Sequence, residues 1–321
     1  MNHRIVFMGT PEFAVKTLDS ILSSGYHVAG VVTVPDKPAG RGQKVTASAV
    51  KNYALAHNLP LLQPAKLKDP SFLQALAKWN ADLQVVVAFR MLPVEVFSMP
   101  RFGTINLHAS LLPEYRGAAP INWAIINGEQ QTGVTTFFLN EHIDEGDIIA
   151  QQTIPILPDD NAETLHDKLM NIGAELVLSS LRLIFSGNAD AKPQTHNNFH
   201  TPKHNAPKIF KADCQIPWLA SPEHIINFVR GLSPYPTAFT KIRKSEKDKP
   251  ISLKVFKASL TKTPGLSFHH KIESDGKTFA RIAVQNGYIY LNEIQQEGKK
   301  QMDISTFLRG CDLSGWEIIG F

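Results

Sequence analysis

The sequence predicts an α/β protein in two parts: a doubly wound, mostly parallel sheet, then a small β-barrel. Three observations predict this. Through the front of the chain, short Val/Ile-rich runs alternate with helix-patterned stretches, as parallel strands covered on both faces require. Residues 187–207 are poor in apolar side chains and rich in Asn, Pro, His and Thr, as a linker is. Beyond them, short alternating strands separated by Gly- and Asp-containing turns replace the helix–strand alternation, which suits a small barrel. The 321 residues are enough for two domains. The expected division is a front domain over 1–188, a linker over 189–207 and a back domain over 208–321.

The first expected strand is 5–8, ended by Gly9-Thr10-Pro11. Thr10 is a candidate helix cap and Pro11 suits the first helical position. Phe13, Val15, Leu18, Ile21 and Leu22 then recur at helical spacing. A second buried strand is expected at 28–34, and a polar loop at 34–44. Short helices are expected at 50–57 and 72–79. Residues 83–89 form an apolar strand broken only by Gln84, and 104–108 the next strand. Residues 120–127 read as helix and 133–139 as strand. A long helix is expected at 161–186, with Leu165, Leu169, Ile172, Leu176 and Leu183 as its apolar stripe. In the back part, a helix runs from Ser221 to Leu232, and strands fall at 238–242, 251–258, 279–283 and 287–294. No internal repeat is evident.

Composition narrows the class. A hydrophobic fraction of 43% and a charged fraction of 19% are those of a soluble globular protein. No apolar run approaches the roughly 20 residues needed to span a bilayer. The run at 5–8 is too short for a signal-peptide core and lacks a cleavage site. Cys214 and Cys311 are far apart and in no metal spacing, so reduced thiols and a cytoplasmic location are expected. The net charge of +4 is unevenly placed. From Lys208 onward, 17 Lys+Arg against 11 Asp+Glu give +6; residues 1–207 hold 16 against 18, giving −2. A basic back third is a footprint for a polyanion such as RNA, or merely a soluble surface; composition leaves both open. No heptad or interface stripe points beyond a monomer.

The chemistry concentrates in 104–120. Asn106 and His108 are two apart, so on a strand end they point to the same side. They offer a hydrogen-bond donor and a general base. Leu111, Leu112 and Pro113 make the following loop unusually apolar. A second polar cluster spans 142–147 and contains Asp144. A lone His beside a strand is more often structural, and a lone Asp more often a turn residue or cap. The three together suggest an acyl-transfer site at strand ends, where doubly wound sheets bind ligands. Gly9 is a tight-turn glycine, or a place where a ligand approaches the backbone. Lys37, Arg41 and Lys44 on the 34–44 loop are either solvated or a basic finger for phosphates. His196, His200 and His204 have helical spacing, but Asn197, Asn198 and Pro202 oppose a helix, and no metal is expected. There is no Walker A or Gly-x-Gly-x-x-Gly sequence.

At these residues the chain resembles the folate-dependent formyltransferases. Asn106-Leu107-His108-Ala109-Ser110-Leu111-Leu112-Pro113, followed by Asp144-Glu145-Gly146, is that family's hallmark. More narrowly, it resembles from end to end the members that formylate an aminoacylated initiator tRNA. Phe7-Met8-Gly9-Thr10-Pro11-Glu12-Phe13-Ala14, Pro35-Asp36-Lys37-Pro38-Ala39-Gly40-Arg41-Gly42 and Tyr115-Arg116-Gly117-Ala118-Ala119-Pro120-Ile121 carry that likeness. It implies a Rossmann-like formyltransferase domain and a barrel of oligonucleotide-binding type. It implies 10-formyltetrahydrofolate as formyl donor, tetrahydrofolate as product, and the α-amine of initiator methionyl-tRNA as acceptor, for translation initiation.

The resemblance also implies residue roles. Asn106, His108 and Asp144 would be catalytic: the first two donating to the oxyanion or steering the departing nitrogen, Asp144 holding His108 or taking the amine proton. Folate would meet Phe89, Met91, Leu92, Ser110, Leu111, Leu112, Pro113, Ile143, Gly146 and Asp147. The acceptor pocket would include Gly9, Thr10, Phe13 and Arg116. The tRNA would meet Lys37, Arg41 and Lys44, then the barrel's lysines. Two departures stand out. Many relatives carry Ala-Tyr-Gly and one further residue where this chain has Ala88-Phe89-Arg90-Met91-Leu92-Pro93, and an acidic residue before Trp218 is replaced by Pro217. The rival readings are formyl transfer to an amino-sugar nucleotide or purine precursor, and a catalytically silent RNA-binding protein.

Overall fold

The structure is a computed structural model that describes residues 3–39, 44–194 and 204–320, with the side chains of Ala39 and Lys44 left out. The elements run β1 (Arg4–Gly9), α1 (Glu12–Ser23), β2 (His27–Val32), β3 (Lys37–Ala39), β4 (Lys44–Thr46), α2 (Ala49–Ala56), β5 (Leu61–Leu62), α3 (Pro70–Lys78), β6 (Leu83–Val87), α4 (Val94–Phe97) and β7 (Thr104–His108). They continue with β8 (Arg116–Gly117), α5 (Pro120–Ile126), β9 (Gln131–Phe138), β10 (Ile148–Pro155), α6 (Ala162–Phe185) and β11 (Asn205–Ala206). The last part holds α7 (Pro222–Gly231), β12 (Ala238–Arg243), β13 (Ile251–Lys262), β14 (Ile272–Ser274), β15 (Ala280–Val284), β16 (Gly287–Gln296), β17 (Met302–Asp303), α8 (Ile304–Leu308) and β18 (Glu317–Ile319).

The chain forms two compact units. The first takes Met1–Gly117, Gln131–Ile154 and His166–Asn205; the second takes Ala118–Gln130, Pro155–Leu165 and Ala206–Phe321. The first is built on a seven-stranded sheet in the order β10-β9-β7-β6-β1-β2-β5. Strands β5, β2, β1, β6 and β7 are parallel neighbours, and β9 reverses direction beside β7. The central strands are apolar and wholly buried: Ile5, Val6, Phe7, Leu83, Val85 and Ile105 have no measurable exposure. That is the doubly wound, mostly parallel architecture the alternation predicts.

Helix starts follow from local chemistry, with one correction. Ser48 caps α2 by accepting from the Lys51 N–H, and Asp69 caps α3 by accepting from Ser71. Thr10 does not cap α1. Pro11 occupies the cap position without a side-chain hydrogen bond, and the helix begins at Glu12. The stripe of α6 also needs correcting. Leu165, Leu169 and Leu176 are buried, but Leu183 is exposed, and Leu181 and Ile184 are buried near the helix end. Gly173 of α6 faces Leu107 so closely that an added Cβ would lie 2.8 Å from Leu107 Cδ2. Leu107 therefore occupies the face of β7 covered by α6, and Asn106 and His108 take the other.

The second unit contains the barrel. Its strand order is β14-β15-β16-β13-β12-β18, with β17 on β16. A bridge between Lys271 and Glu317 joins its two ends, strengthened by the Ile272 N–H on the Trp316 carbonyl at 2.7 Å. Strand β13 runs to Lys262, longer than the alternation suggests, and its register shifts around Lys257. Ser221 caps α7 by accepting from the His224 N–H, and the helix begins at Pro222. Trp218 is buried, its indole N–H on Thr240 Oγ1 at 3.0 Å. Within the same unit α5 packs on α7: Asn122 donates to the Gly231 carbonyl at 2.7 Å, and an added Cβ on Gly231 would lie 2.7 Å from Ile126.

Candidate active site

Strand β7 ends at His108, and the chain then turns sharply back. The His108 ring is buried, with Nε2 2.9 Å from the Tyr115 carbonyl oxygen. A carbonyl only accepts, so Nε2 carries the hydrogen and Nδ1 of the neutral ring holds a lone pair. The turn is held by Ser110, whose hydroxyl donates to the Glu114 carbonyl at 2.6 Å. Thr135 on β9 donates to the Ser110 carbonyl at 2.7 Å and accepts from the Leu112 N–H at 3.1 Å. Gln151 ties Leu112 and Thr135 together through its carboxamide N–H groups, both at 2.9 Å. Tyr115 has a positive φ of 60° and stacks on His204, their ring centroids 5.4 Å apart.

Asp144 reaches His108 from an unexpected direction. Because β9 is antiparallel to β7, its last residues lie beside the start of β7, with Ile105 opposite Phe138. Four residue steps at about 3.3 Å put His108 some 13 Å from Thr104. The 139–147 loop must therefore double back. Asp144 takes a positive φ of 55°, and its Oδ2 accepts from the Gly117 N–H at 3.0 Å. The same oxygen lies 3.8 Å from His108 Nδ1. That is too long for a direct hydrogen bond and leaves two acceptors facing one gap. A donor hydrogen-bonded to both would sit beside the pair, at about 2.9 Å from each atom.

Asn106 is half-buried on the same face of β7, and its side chain has no hydrogen-bond partner among the described residues. Its carboxamide is free to serve a ligand. Arg116 is not free. It donates through Nε and Nη2 to Gln194 Oε1 at 3.1 and 2.5 Å, and through Nη1 to Glu145 at 2.8 Å. Gln194 in turn donates to the carbonyls of Asp144 and Gly146, both at 2.9 Å. Sequence reasoning passed over Gln194, which sits in the Asn/Pro/His-rich stretch with no periodic pattern around it. It also passed over the Tyr115 carbonyl and the Gly117 N–H, since backbone partners leave no signal in residue type.

The other expected site residues fall into several groups. Met91 and Ile143 are 65% and 62% exposed, Phe89 is partly buried, and Leu92 is in the core. Leu111 is half-buried; Ser110, Leu112 and Pro113 are buried, Leu112 packing with Phe137 and Ile148. Gly146 is buried, and Asp147 is exposed with its carbonyl on the Phe138 N–H. The space at Gly9 is filled: an added Cβ would lie 2.6 Å from Ala14 Cβ and 3.0 Å from the Val87 oxygen. Thr10 is half-buried, and Phe13 is buried edge-on to His166 at 5.2 Å. Arg90, in the segment that departs from the family pattern, donates to the carbonyls of Pro64 and Ala65 at 2.8 and 3.1 Å.

The basic loop is partly a hairpin. Lys37 is exposed and pairs across β3 and β4 with Thr46. Arg41, like His196 and His200, lies outside the described residues, as does the side chain of Lys44. The base of the hairpin is fastened by Asp36, which meets Lys51 Nζ at 2.5 Å and Gln63 Nε2 at 2.9 Å. Lys51 first, then Gln63, holds the Asp36 carboxyl below its ordinary range.

Comparisons with known proteins extend this geometry. A family model described as formyl transferase matches residues 3–181, and one described as formyl transferase, C-terminal domain, matches 208–312. A methionyl-tRNA formyltransferase of Bacteroides fragilis is 50% identical, over 97% of this chain and 96% of that protein. One of Flavobacterium johnsoniae is 51% identical, over 97% of each. Among solved structures, HypX of Aquifex aeolicus in complex with tetrahydrofolic acid superposes with a TM-score of 0.61 at 17% identity, over 96% of this chain and 47% of that one. WlaRD, a sugar 3N-formyl transferase, superposes with a TM-score of 0.63 at 20% identity, over 94% of this chain and all of that one. At those identities the two structures speak to the fold.

Gly146 gives the doubled-back loop its simplest test. An added Cβ there would lie 1.6 Å from the Phe138 carbonyl oxygen, a backbone atom that cannot rotate away. Gly146→Ala is expected to lower stability by about 1–3 kcal/mol or more, read as a lower urea or thermal midpoint. An unchanged midpoint would show that the loop has room for a methyl group.

Proposed function

The chain belongs to the methionyl-tRNA formyltransferases and formylates initiator methionyl-tRNA; from that premise we propose how its residues do so, with 10-formyltetrahydrofolate as donor. The observation that carries the reading is the gap between His108 Nδ1 and Asp144, with the unpartnered carboxamide of Asn106 on the same face of β7. In this proposal 1–188 would carry the chemistry and 208–321 would bind tRNA, with 189–207 as the linker. Among the described residues no helix is long and apolar enough to cross a membrane, and Cys214 and Cys311 are free thiols. The enzyme is proposed to act as a monomer in the cytoplasm, where charged initiator tRNA is found.

The residues fit a flat, largely apolar donor carrying one reactive carbonyl. Phe89, Met91, Leu111 and Ile143 offer apolar surface on loops after β6, β7 and β9, Leu92 packs in the core behind them, and Ser110, Leu112 and Pro113 shape the turn beneath. Asn106 donates to the formyl oxygen as it gains negative charge; removing such a donor typically costs about 10²–10³ in rate. His108 Nδ1 takes the proton from the methionine α-amine as the nitrogen joins the formyl carbon. The resulting imidazolium keeps its Nε2–H on Tyr115 and faces the Asp144 carboxylate, which stabilises the added charge. Nδ1 then returns that proton to the departing folate nitrogen as its bond to the formyl carbon breaks. The free α-amine titrates near neutrality, at about 7.7–8.0, so modest help suffices. Asp147 and Gly146 complete the loop beside the donor. Gly9, Thr10, Phe13 and Arg116 form the frame around the acceptor end, with Arg116 acting through Glu145 and Gln194.

On the tRNA side, Lys37, Arg41 and Lys44 would meet the acceptor arm, on a hairpin whose base Asp36 fixes. The barrel's lysines follow the phosphates, as the +6 balance from Lys208 onward favours.

Two substitutions test the assignment, read by formylmethionine formed from 10-formyltetrahydrofolate and charged initiator tRNA. Asp144→Asn keeps shape but removes the charge facing His108, and is expected to slow single-turnover transfer by about 10²-fold or more. A near-normal rate would exclude its role. Arg41→Leu is expected to leave folate binding intact, weaken use of tRNA, and lower the slope of log affinity against log salt by about one unit. If formylation and slope are both unchanged, the loop does not touch the tRNA.

A further inference from the structure

We infer that Gln194 is a positioning residue for formyl transfer, one carboxamide that sets the Asp144 loop and Arg116 at once. The inference rests on the assignment of Asp144 above. Gln194 is 4% exposed, and both ends of its side chain are used. Its oxygen accepts from Arg116 Nε and Nη2; its nitrogen donates to the carbonyls of Asp144 and Gly146. The orientation is unambiguous, because a guanidinium only donates and a carbonyl only accepts. A reversed carboxamide would leave all four contacts repulsive.

The loop needs such a clamp. Asp144 is held at a positive φ that a non-glycine residue adopts at a cost. Gly146 is pressed against Phe138, and the segment doubles back along β7. Gln194 satisfies the segment's carbonyls at 144 and 146. The Asp144 carboxylate then accepts from the Gly117 N–H and lies 3.8 Å from His108. A nearby backbone anchor, the paired bridge between Lys192 and Ile148, fixes the segment that carries Gln194. No metal-like or covalent chemistry is asked of Gln194; it acts through Asp144.

The test is a double-substitution cycle on the full-length enzyme. Gln194→Met keeps length and removes all four hydrogen bonds; Gln194→Glu keeps the acceptor for Arg116 but removes both donors. Each is expected to lower the single-turnover rate by roughly 10- to 100-fold, with KM for both substrates within about threefold of the parent. In the Asp144→Asn background, either change should cost under about twofold further. Losses that multiply in the double variant, or parent rates in the single ones, overturn the inference. If Gln194→Met fails to fold, the Gln194→Glu cycle decides by the same criterion. Should Asp144→Asn alone transfer at the parent rate, the assignment of the site falls; if it is slow and the losses multiply, only the role of Gln194 falls.

Discussion

The hydrogen bond from His108 Nε2–H to the Tyr115 carbonyl is the constraint on which the site depends. It closes the turn after β7 and decides which ring nitrogen is free. A ring held this way can serve as base through Nδ1 alone, and the Asp144 carboxylate faces that nitrogen across the gap. In the proposed mechanism, proton acceptance and proton return would both use Nδ1, with Asp144 stabilising the charge between them. The buried hydroxyls of Ser110 and Thr135 maintain the turn, so its stability and its chemistry share the same residues.

A second constraint comes from topology. Parallel strands would place successive loops at one end of the sheet, but β9 reverses. The loop carrying Asp144 consequently starts at the wrong end of β7 for catalysis and must return along it. Everything unusual in that loop follows: a positive φ at Asp144, a glycine at 146 that no other residue can replace without moving Phe138, and a buried Gln194 spanning two carbonyls. The strain is local, and the fold around it is well packed, as at many functional sites.

Much of the fold was legible in the sequence because its signals are local. Val/Ile runs mark the buried strands, and the helices expected at 50–57, 72–79 and 221–232 form at Ala49–Ala56, Pro70–Lys78 and Pro222–Gly231. The Thr104–His108 strand lies where the pattern places it. Local signals failed where tertiary contacts decide. Thr10 precedes a helix that Pro11 starts without a cap bond. Leu183 continues a stripe on paper, yet the burial near the end of α6 shifts to Leu181 and Ile184. The loop over 34–44 is polar and Gly/Pro-rich, but its flanks pair as β3 and β4 once Asp36 is anchored. At the site, Asn106, His108 and Asp144 were visible as residue types. Their partners were not, because Tyr115 and Gly117 contribute backbone atoms and Gln194 comes from a stretch that resembles a linker.

The substrate reading divides along the chain. The front supplies a formyl-transfer site, and the basic back third with its barrel supplies a reason for the acceptor to be a nucleic acid. The central claim is narrower: that His108 is locked as the Nε2–H tautomer with Nδ1 open toward Asp144. Nitrogen NMR of the histidine rings in the full-length protein measures this directly. The account predicts that neutral His108 carries its proton on Nε2; a proton on Nδ1 would contradict it.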